Sequence, residues 1–523
     1  MRNSKLFIAI GGILLIVVVF FAWIRLPLTQ GQIWMSPDET ANAQTAAQFS
    51  ETGHFFIPTS LSGDFLWAHP RSFVFLPALE RIVPIGFLGM PIILSIIYKL
   101  IGLLGILFFT PLLALVTLYP LYKSFPNKWS EYVKFFVLLI WMTFPTIIIY
   151  SNRGAFAQLP IVCLMIWIWW LLTSKHKLFK YIIAGLFLGL IAIIRPPEII
   201  WALPIAVTAF LYQSEAKNTK HILSIILPFV FVIIFGALAG YQTYGQWFVS
   251  GYQMRPSVNI EQNIISANVE SNTASVIDIL PFSFHPRNIL WNLKNYLVYL
   301  FWPWFIISIF GLYILYKHKV WKTKSLWLLL SLFWMMIVLV GFYGNGIYQD
   351  HVIVNQISMG NSFLRYVLPL SIVFAICIGL VLDFLWKHWM LKIFAICITM
   401  VLVFTGIWQA YAKDDEGILE NQNQLYRYNQ IRKQTAQFTT PDTYILSDRS
   451  DKIFFPYFNA VSPLPDSKQI YSFIKSGNKI QLYLTTQDDV GMIKWLDAGL
   501  RLTPLFSNDN QTLYDVSWID YNL

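Results

Sequence analysis

Long apolar runs alternate with short polar segments from the first residues to about position 410, after which the pattern changes. Runs able to cross a ~30 Å hydrocarbon core fall near 6–24, 103–122, 133–150, 158–173, 179–195, 199–213, 222–243, 293–316, 325–343, 366–386 and 391–410, so eleven crossings are expected. The first run follows Arg2 and Lys5 and ends at Trp23-Ile24-Arg25 without a small-residue cleavage site, which reads as an anchor rather than a signal peptide. Pro84 to Leu100 is ambiguous, being apolar but interrupted by Pro91. If it does not cross, every lysine cluster lies on the side of the N-terminus: 123, 128 and 134; 175, 177 and 180; 217 and 220; 317, 319, 322 and 324; 387 and 392. Cytoplasmic segments carry the excess of Lys and Arg, so 84–100 is read as re-entrant or interfacial, the N-terminus as inside and the C-terminus as outside.

Three outward segments are too long to be turns, about 26–102, 244–292 and 344–365. From about 411 a polar tail predicts a helix over 413–437 ended before Pro441, strands at 443–447, 480–485 and 513–516, and helices over 470–475 and 490–500. The expected fold class is thus an all-α polytopic membrane protein with a small extracytoplasmic C-terminal α/β domain, divided as 1–410 and 411–523. Composition agrees. Only 12% of the 523 residues are charged, half the ~25% of a soluble domain, while 56% are hydrophobic and 17% aromatic. These values exclude a soluble enzyme and place the chain in the cell membrane. The net charge of +10 follows topology and, being scattered between apolar runs, does not form a nucleic-acid-binding face. Cys163, Cys377 and Cys397 sit inside apolar runs without metal or redox spacing.

Charge placement narrows function further. Before the tail, Glu198 lies at an outer span end and Asp383 near an inner one, and no acidic residue falls in mid-span. A coupled transporter or proton pump places carboxylates near the midplane, so that class is disfavoured. Sorted by type, lysine is mainly inside and arginine outside: of the nine arginines in 1–410, only Arg2 is cytoplasmic. Guanidinium forks bind phosphate in bidentate fashion, which points to a phosphorylated ligand; the competing reading is snorkelling at span ends.

Just beyond the first span, Trp34-Met35-Ser36-Pro37-Asp38-Glu39 reads as a helix start, with Ser36 as cap, Pro37 in the first turn and two acids at the positive end of the dipole. Adjacent carboxylates at the outer surface also suit proton abstraction from a hydroxyl or metal binding beside a lipid phosphate. The chain here resembles the GT-C superfamily of membrane glycosyltransferases, which use polyprenyl-phosphate sugars. The likeness rests on Asp38-Glu39, Tyr150-Ser151-Asn152-Arg153, Gly185 through Gly189 to Arg195-Pro196, and Arg365-Tyr366 with Pro369. The resemblance implies Asp38 as catalytic base supported by Glu39, donor-phosphate contacts from Arg153, Arg195, Arg365 and Tyr366, and an inverting attack at the sugar C1. It leaves a divalent metal open, since metal use varies across the superfamily. His69, Arg71, His285 and His351 in the outward loops are candidates for lining the same cavity. The implied partners are a polyprenyl-phosphate-linked sugar, a glycan, lipid or protein acceptor, and membrane lipids. Two rivals remain: a surface-polysaccharide ligase or polymerase with a lipid-diphosphate donor, and a lipid-linked sugar flippase.

Overall fold

The structure is a computed structural model that describes residues 33–61, 63–126, 129–174, 177–212, 219–254, 284–317, 325–348, 357–412 and 416–519. The N-terminal run at 6–24, Arg255, His351 and several clustered lysines lie outside the described residues. Internal contacts divide the chain into two units. One comprises Met1–Arg25, Phe108–Ile234 and Asn259–Glu420, the other Leu26–Leu107, Phe235–Val258 and Asn421–Leu523.

Among the described residues, the predicted apolar runs of the first unit fold mainly as helices. Among the described residues, four helices are long and apolar enough to cross a membrane alone: Leu103–Ser124, Thr219–Tyr244, Leu370–Lys387 and Trp389–Tyr411. Two pairs qualify only jointly and are bent, Glu131–Met142 with Pro145–Ser151 by 58° and Pro286–Tyr299 with Trp302–Lys317 by 93°. Pro145 supplies no N–H to continue the preceding helix, which accounts for the first bend. The remaining runs form shorter helices such as Gln158–Thr173, whose 16 residues rise only ~24 Å. Among the described residues, four to six of the eleven expected spans are thus supported by length and composition.

Close helix approach within this unit depends on absent side chains. A Cβ at Gly185 would lie 2.2 Å from the Ile225 carbonyl oxygen, and one at Gly189 2.7 Å from the Val232 Cβ. Two small residues four apart thus let the helices Leu178–Ile194 and Thr219–Tyr244 meet backbone to backbone, the usual solution where lipid gives no hydrophobic drive. Trp141, Trp201 and Trp304 are fully buried within the same unit.

The second unit begins with the segment that was expected to be the first outward one. It folds as a helix, Pro37–Thr52, and a three-stranded antiparallel sheet ordered β1-β3-β2, with β1 at Ile57–Pro58, β2 at Phe73–Leu76 and β3 at Arg81–Pro84. The stretch expected to be re-entrant or interfacial contains the helix Gly89–Ile101, whose 13 residues rise about 20 Å, less than the ~30 Å of a crossing. The tail adds the predicted α/β domain: a five-stranded sheet ordered β5-β4-β6-β8-β7, with β4 at Tyr444–Ser447, β5 at Asn459–Val461, β6 at Ile480–Thr485, β7 at Leu500–Asn508 and β8 at Gln511–Trp518. Two strands were not expected, β5 and β7, and the helix expected over 490–500 stops at Asp497. β7 contains Pro504 beside a register shift, which is tolerated because β7 is an edge strand.

Strand alternation gives the tail's sheet two buried faces. Leu446 joins a cluster with Ile470, Phe473 and Leu482, while its neighbour Ile445 joins one with Phe454, Tyr483 and Leu513. The segment from Ala41 to Phe73 contributes to both, with Phe65 and Ala68 in the first cluster and Ala41 and Phe73 in the second. Residues 41–73 and the tail therefore pack together in both of these clusters.

Candidate functional site

In the second unit, Ser36 caps the helix Pro37–Thr52 as expected, its hydroxyl accepting from the Glu39 amide at 3.3 Å. Asp38 is half-buried and its Oδ1 accepts a hydrogen bond from the Ser72 hydroxyl at 3.2 Å, while the Glu39 side chain is buried. The tail grips this loop at two consecutive residues. Buried Asp451 receives the Arg71 Nε at 2.8 Å and the Arg71 amide at 3.0 Å, and the Lys452 ammonium donates to the Met35 carbonyl at 2.8 Å. Arg71 also donates from Nη2 to the Arg449 carbonyl at 2.7 Å, so its guanidinium is engaged in holding the loop to the tail. His69 is half-buried, with Nδ1 2.9 Å from the Pro70 carbonyl and its own carbonyl accepting from the Ser462 amide.

In the first unit, Arg153, Arg195, Arg365 and Tyr366 converge from three separate stretches of sequence. The Arg195 guanidinium lies over the Tyr366 ring at 4.6 Å and near Tyr343 at 5.6 Å, and those two rings stack at 4.4 Å. Arg365 donates to the Tyr366 hydroxyl at 3.1 Å. It also shares the Phe156 ring with Arg153, at 5.4 and 4.9 Å. Cations over aromatic faces are held flat by the ring quadrupole. Tyr348 closes the group: its ring is 5.8 Å from Tyr366, and its hydroxyl donates to the Tyr343 carbonyl at 2.7 Å. Burial pushes the Tyr348 phenol well above its ordinary pKa, Tyr366 and Tyr343 adding to the rise and Arg365 and Arg195 opposing it, so it stays a neutral donor.

The sequence did not single out Glu198 as a partner of this group. It is 3% exposed, 3.4 Å from the Arg195 Nε, and accepts from the Tyr343 hydroxyl at 2.7 Å and from the Trp201 indole. Its spacing of three from Arg195 was the available signal. His285 stands just before the helix Pro286–Asn292 with an exposed side chain; its amide donates to the Asn345 Oδ1 at 2.6 Å. No three His, Cys, Asp or Glu side chains gather as a metal-ligand group among the described residues.

No protein-family model matches the chain, and no curated protein matches it in sequence. Its fold is similar to that of ArnT from Cupriavidus metallidurans bound to undecaprenyl phosphate, with a TM-score of 0.56 and 11% identity over 96% of this chain and 97% of that one. The apo state of the same protein gives 0.54 at 11% identity and the same coverage. Archaeal oligosaccharyltransferase AglB from Archaeoglobus fulgidus, in complex with an inhibitory peptide and a dolichol-phosphate, gives 0.50 at 10% identity over 93% of this chain and 70% of that one. At these identities the likeness is one of fold, and it is the fold that the resemblance to GT-C glycosyltransferases implied.

Proposed function

We propose that the chain is a membrane glycosyltransferase that takes a sugar from a polyprenyl-phosphate donor and delivers it, on the outer face of the membrane, to a hydroxyl of a glycan, lipid or protein. The reading is carried by the gathering of Arg153, Arg195, Arg365 and Tyr366. In such a transfer the acceptor oxygen forms a bond to the sugar C1 as the C1–O bond to phosphate breaks, inverting that carbon. The bonding pair leaves on the phosphate oxygen, so a singly charged diester becomes a doubly charged monoester. Positioned guanidinium groups stabilise that growing charge more than the ground state, which is how binding becomes catalysis. Asp38 receives the hydroxyl proton as general base, its carboxylate oriented by Ser72, and Glu39 supports it.

The test is Asp38→Asn at saturating donor. Ser36, not Asp38, caps the helix, so stability should fall by less than ~1 kcal/mol through the dipole alone. Turnover should fall by roughly 10²–10⁴-fold. The affinity for donor should hold. Wild-type turnover in this variant, measured with polyprenyl-phosphate and polyprenyl-diphosphate sugars in parallel, would refute the base assignment and favour the lipid-diphosphate ligase.

A further inference from the structure

We infer that Glu198 is the positioning residue of the arginine group, fixing the Arg195 guanidinium so that its terminal N–H fork stays presented to a phosphate; this rests on the phosphate role proposed above. A carboxylate beside an anion site needs a reason. It weakens the local attraction for phosphate, and burying it costs several kcal/mol unless it is paired and hydrogen-bonded. Glu198 meets that requirement in a way that leaves it no freedom. Its Oε2 accepts from the Trp201 indole and its Oε1 from the Tyr343 hydroxyl at 2.7 Å, and Oε1 also lies 3.4 Å from the Arg195 Nε.

The contact is made through Nε, the inner nitrogen of the guanidinium. The Nη2 lies 3.4 Å from the Tyr343 hydroxyl, a long contact, and the guanidinium rests over Tyr366. Paired in charge at Nε, touched at Nη2 by the Tyr343 hydroxyl and supported along its face by Tyr366, the Arg195 guanidinium is confined to one orientation. The sequence builds this locally. Arg195 and Glu198 bracket a single 3₁₀ turn, Pro196–Glu198, in which residues three apart eclipse, and Pro196 and Pro197 lock two successive φ angles. The fourth member comes from far along the chain, because Tyr343 both caps Glu198 and stacks on Tyr366 at 4.4 Å. One carboxylate thereby registers the Arg195 turn against the aromatic pair.

The experiment measures undecaprenyl phosphate binding and sugar-transfer kinetics on the full chain in detergent, comparing wild type with Glu198→Gln, Tyr343→Phe and Arg195→Lys. Glu198→Gln keeps the size and an acceptor for Tyr343 but loses the charge that aligns Arg195. Affinity for undecaprenyl phosphate should weaken about 5- to 30-fold, and turnover at saturating donor should fall in the same direction, because a misaligned guanidinium also stabilises less of the charge that grows on the leaving phosphate. Tyr343→Phe, which frees the same carboxylate without altering any charge, should weaken binding in the same direction by less. A purely structural role would lower the melting temperature and leave the affinity of the folded fraction unchanged. Three outcomes overturn the inference: unchanged affinity in both Glu198→Gln and Tyr343→Phe while Arg195→Lys loses binding; tighter binding in Glu198→Gln; or weaker binding matched by a proportional loss of folded protein. Unchanged affinity in Arg195→Lys would instead remove the phosphate role itself.

Discussion

The hold of the tail on the acidic loop can be tested at Asp451. Replacing it with Asn keeps the shape and one acceptor but removes the charge that receives both the Arg71 Nε at 2.8 Å and the Arg71 amide at 3.0 Å. One of those donors would then face the amide NH₂. Breaking a fully buried pair costs about 3–5 kcal/mol, but the Arg71 side chain is 27% exposed and water can reach it, so ~2 kcal/mol is the better figure. For a unit of roughly 200 residues that is about 4–8 °C in apparent melting temperature. The assay is thermal unfolding of the full chain in detergent for Asp451→Asn, Arg71→Ala and the double variant. Because the two residues act through one contact, the double variant should melt close to the worse single variant. Turnover should drop with the loosened loop, while undecaprenyl phosphate affinity, assigned to arginines of the other unit, should stay within about twofold of wild type. Additive melting effects, or wild-type melting in Asp451→Asn, would show that the contact is incidental.

Two further outcomes follow from the membrane part. A Cβ at Gly185 would stand 2.2 Å from the Ile225 carbonyl, so Gly185→Val must push two helices apart and should destabilise by about 1–3 kcal/mol, visible as earlier unfolding in a detergent titration; unchanged unfolding would mean the helices are not in contact there. For topology, a reporter active only outside the cytoplasm should be silent when fused after Lys317 and active at the C-terminus. The reverse pattern would put Asp38 on the cytoplasmic side.

What the sequence made legible, and what it did not, follows from the range of the forces involved. Apolar runs are a local signal, so helices such as Thr219–Tyr244 and Leu370–Lys387 fall where the runs predict them. The same signal does not report straightness: Pro145 breaks a run that reads as one span, and the 93° bend before Trp302 falls where Pro303 enters the next helix. In the tail, Tyr444–Ser447 and Ile480–Thr485 are interior strands of branched and aromatic residues and were readable. β7 was not, because an edge strand can carry Pro504 and expose much of its length. Least visible was the sharing of Phe65, Ala68 and Phe73 with a core built almost 400 residues later, since nothing near them in sequence names their partners.

The candidate site shows the same division between residue type and assembly. Arginine placed where lysine would have met the need for charge alone marked the expected outward set as a whole, and the resemblance to GT-C glycosyltransferases narrowed it to Arg153, Arg195 and Arg365. That they gather with Tyr366 is a property of the fold, which brings ends of distant helices together over a few aromatic rings. Glu198 marks the limit of the sequence argument. By charge placement it was a carboxylate at a span end, unremarked beside Asp38 and Glu39. By geometry it is locked by Trp201 and Tyr343 against the arginine three residues before it, and its pairing with Tyr343 crosses 145 positions of sequence. A carboxylate under two neutral donors and one cation is held in a single orientation, and orientation is what a phosphate-binding guanidinium needs most. The local 3₁₀ turn is readable from Arg195-Pro196-Pro197-Glu198; the donors that make it rigid are supplied only when the chain folds.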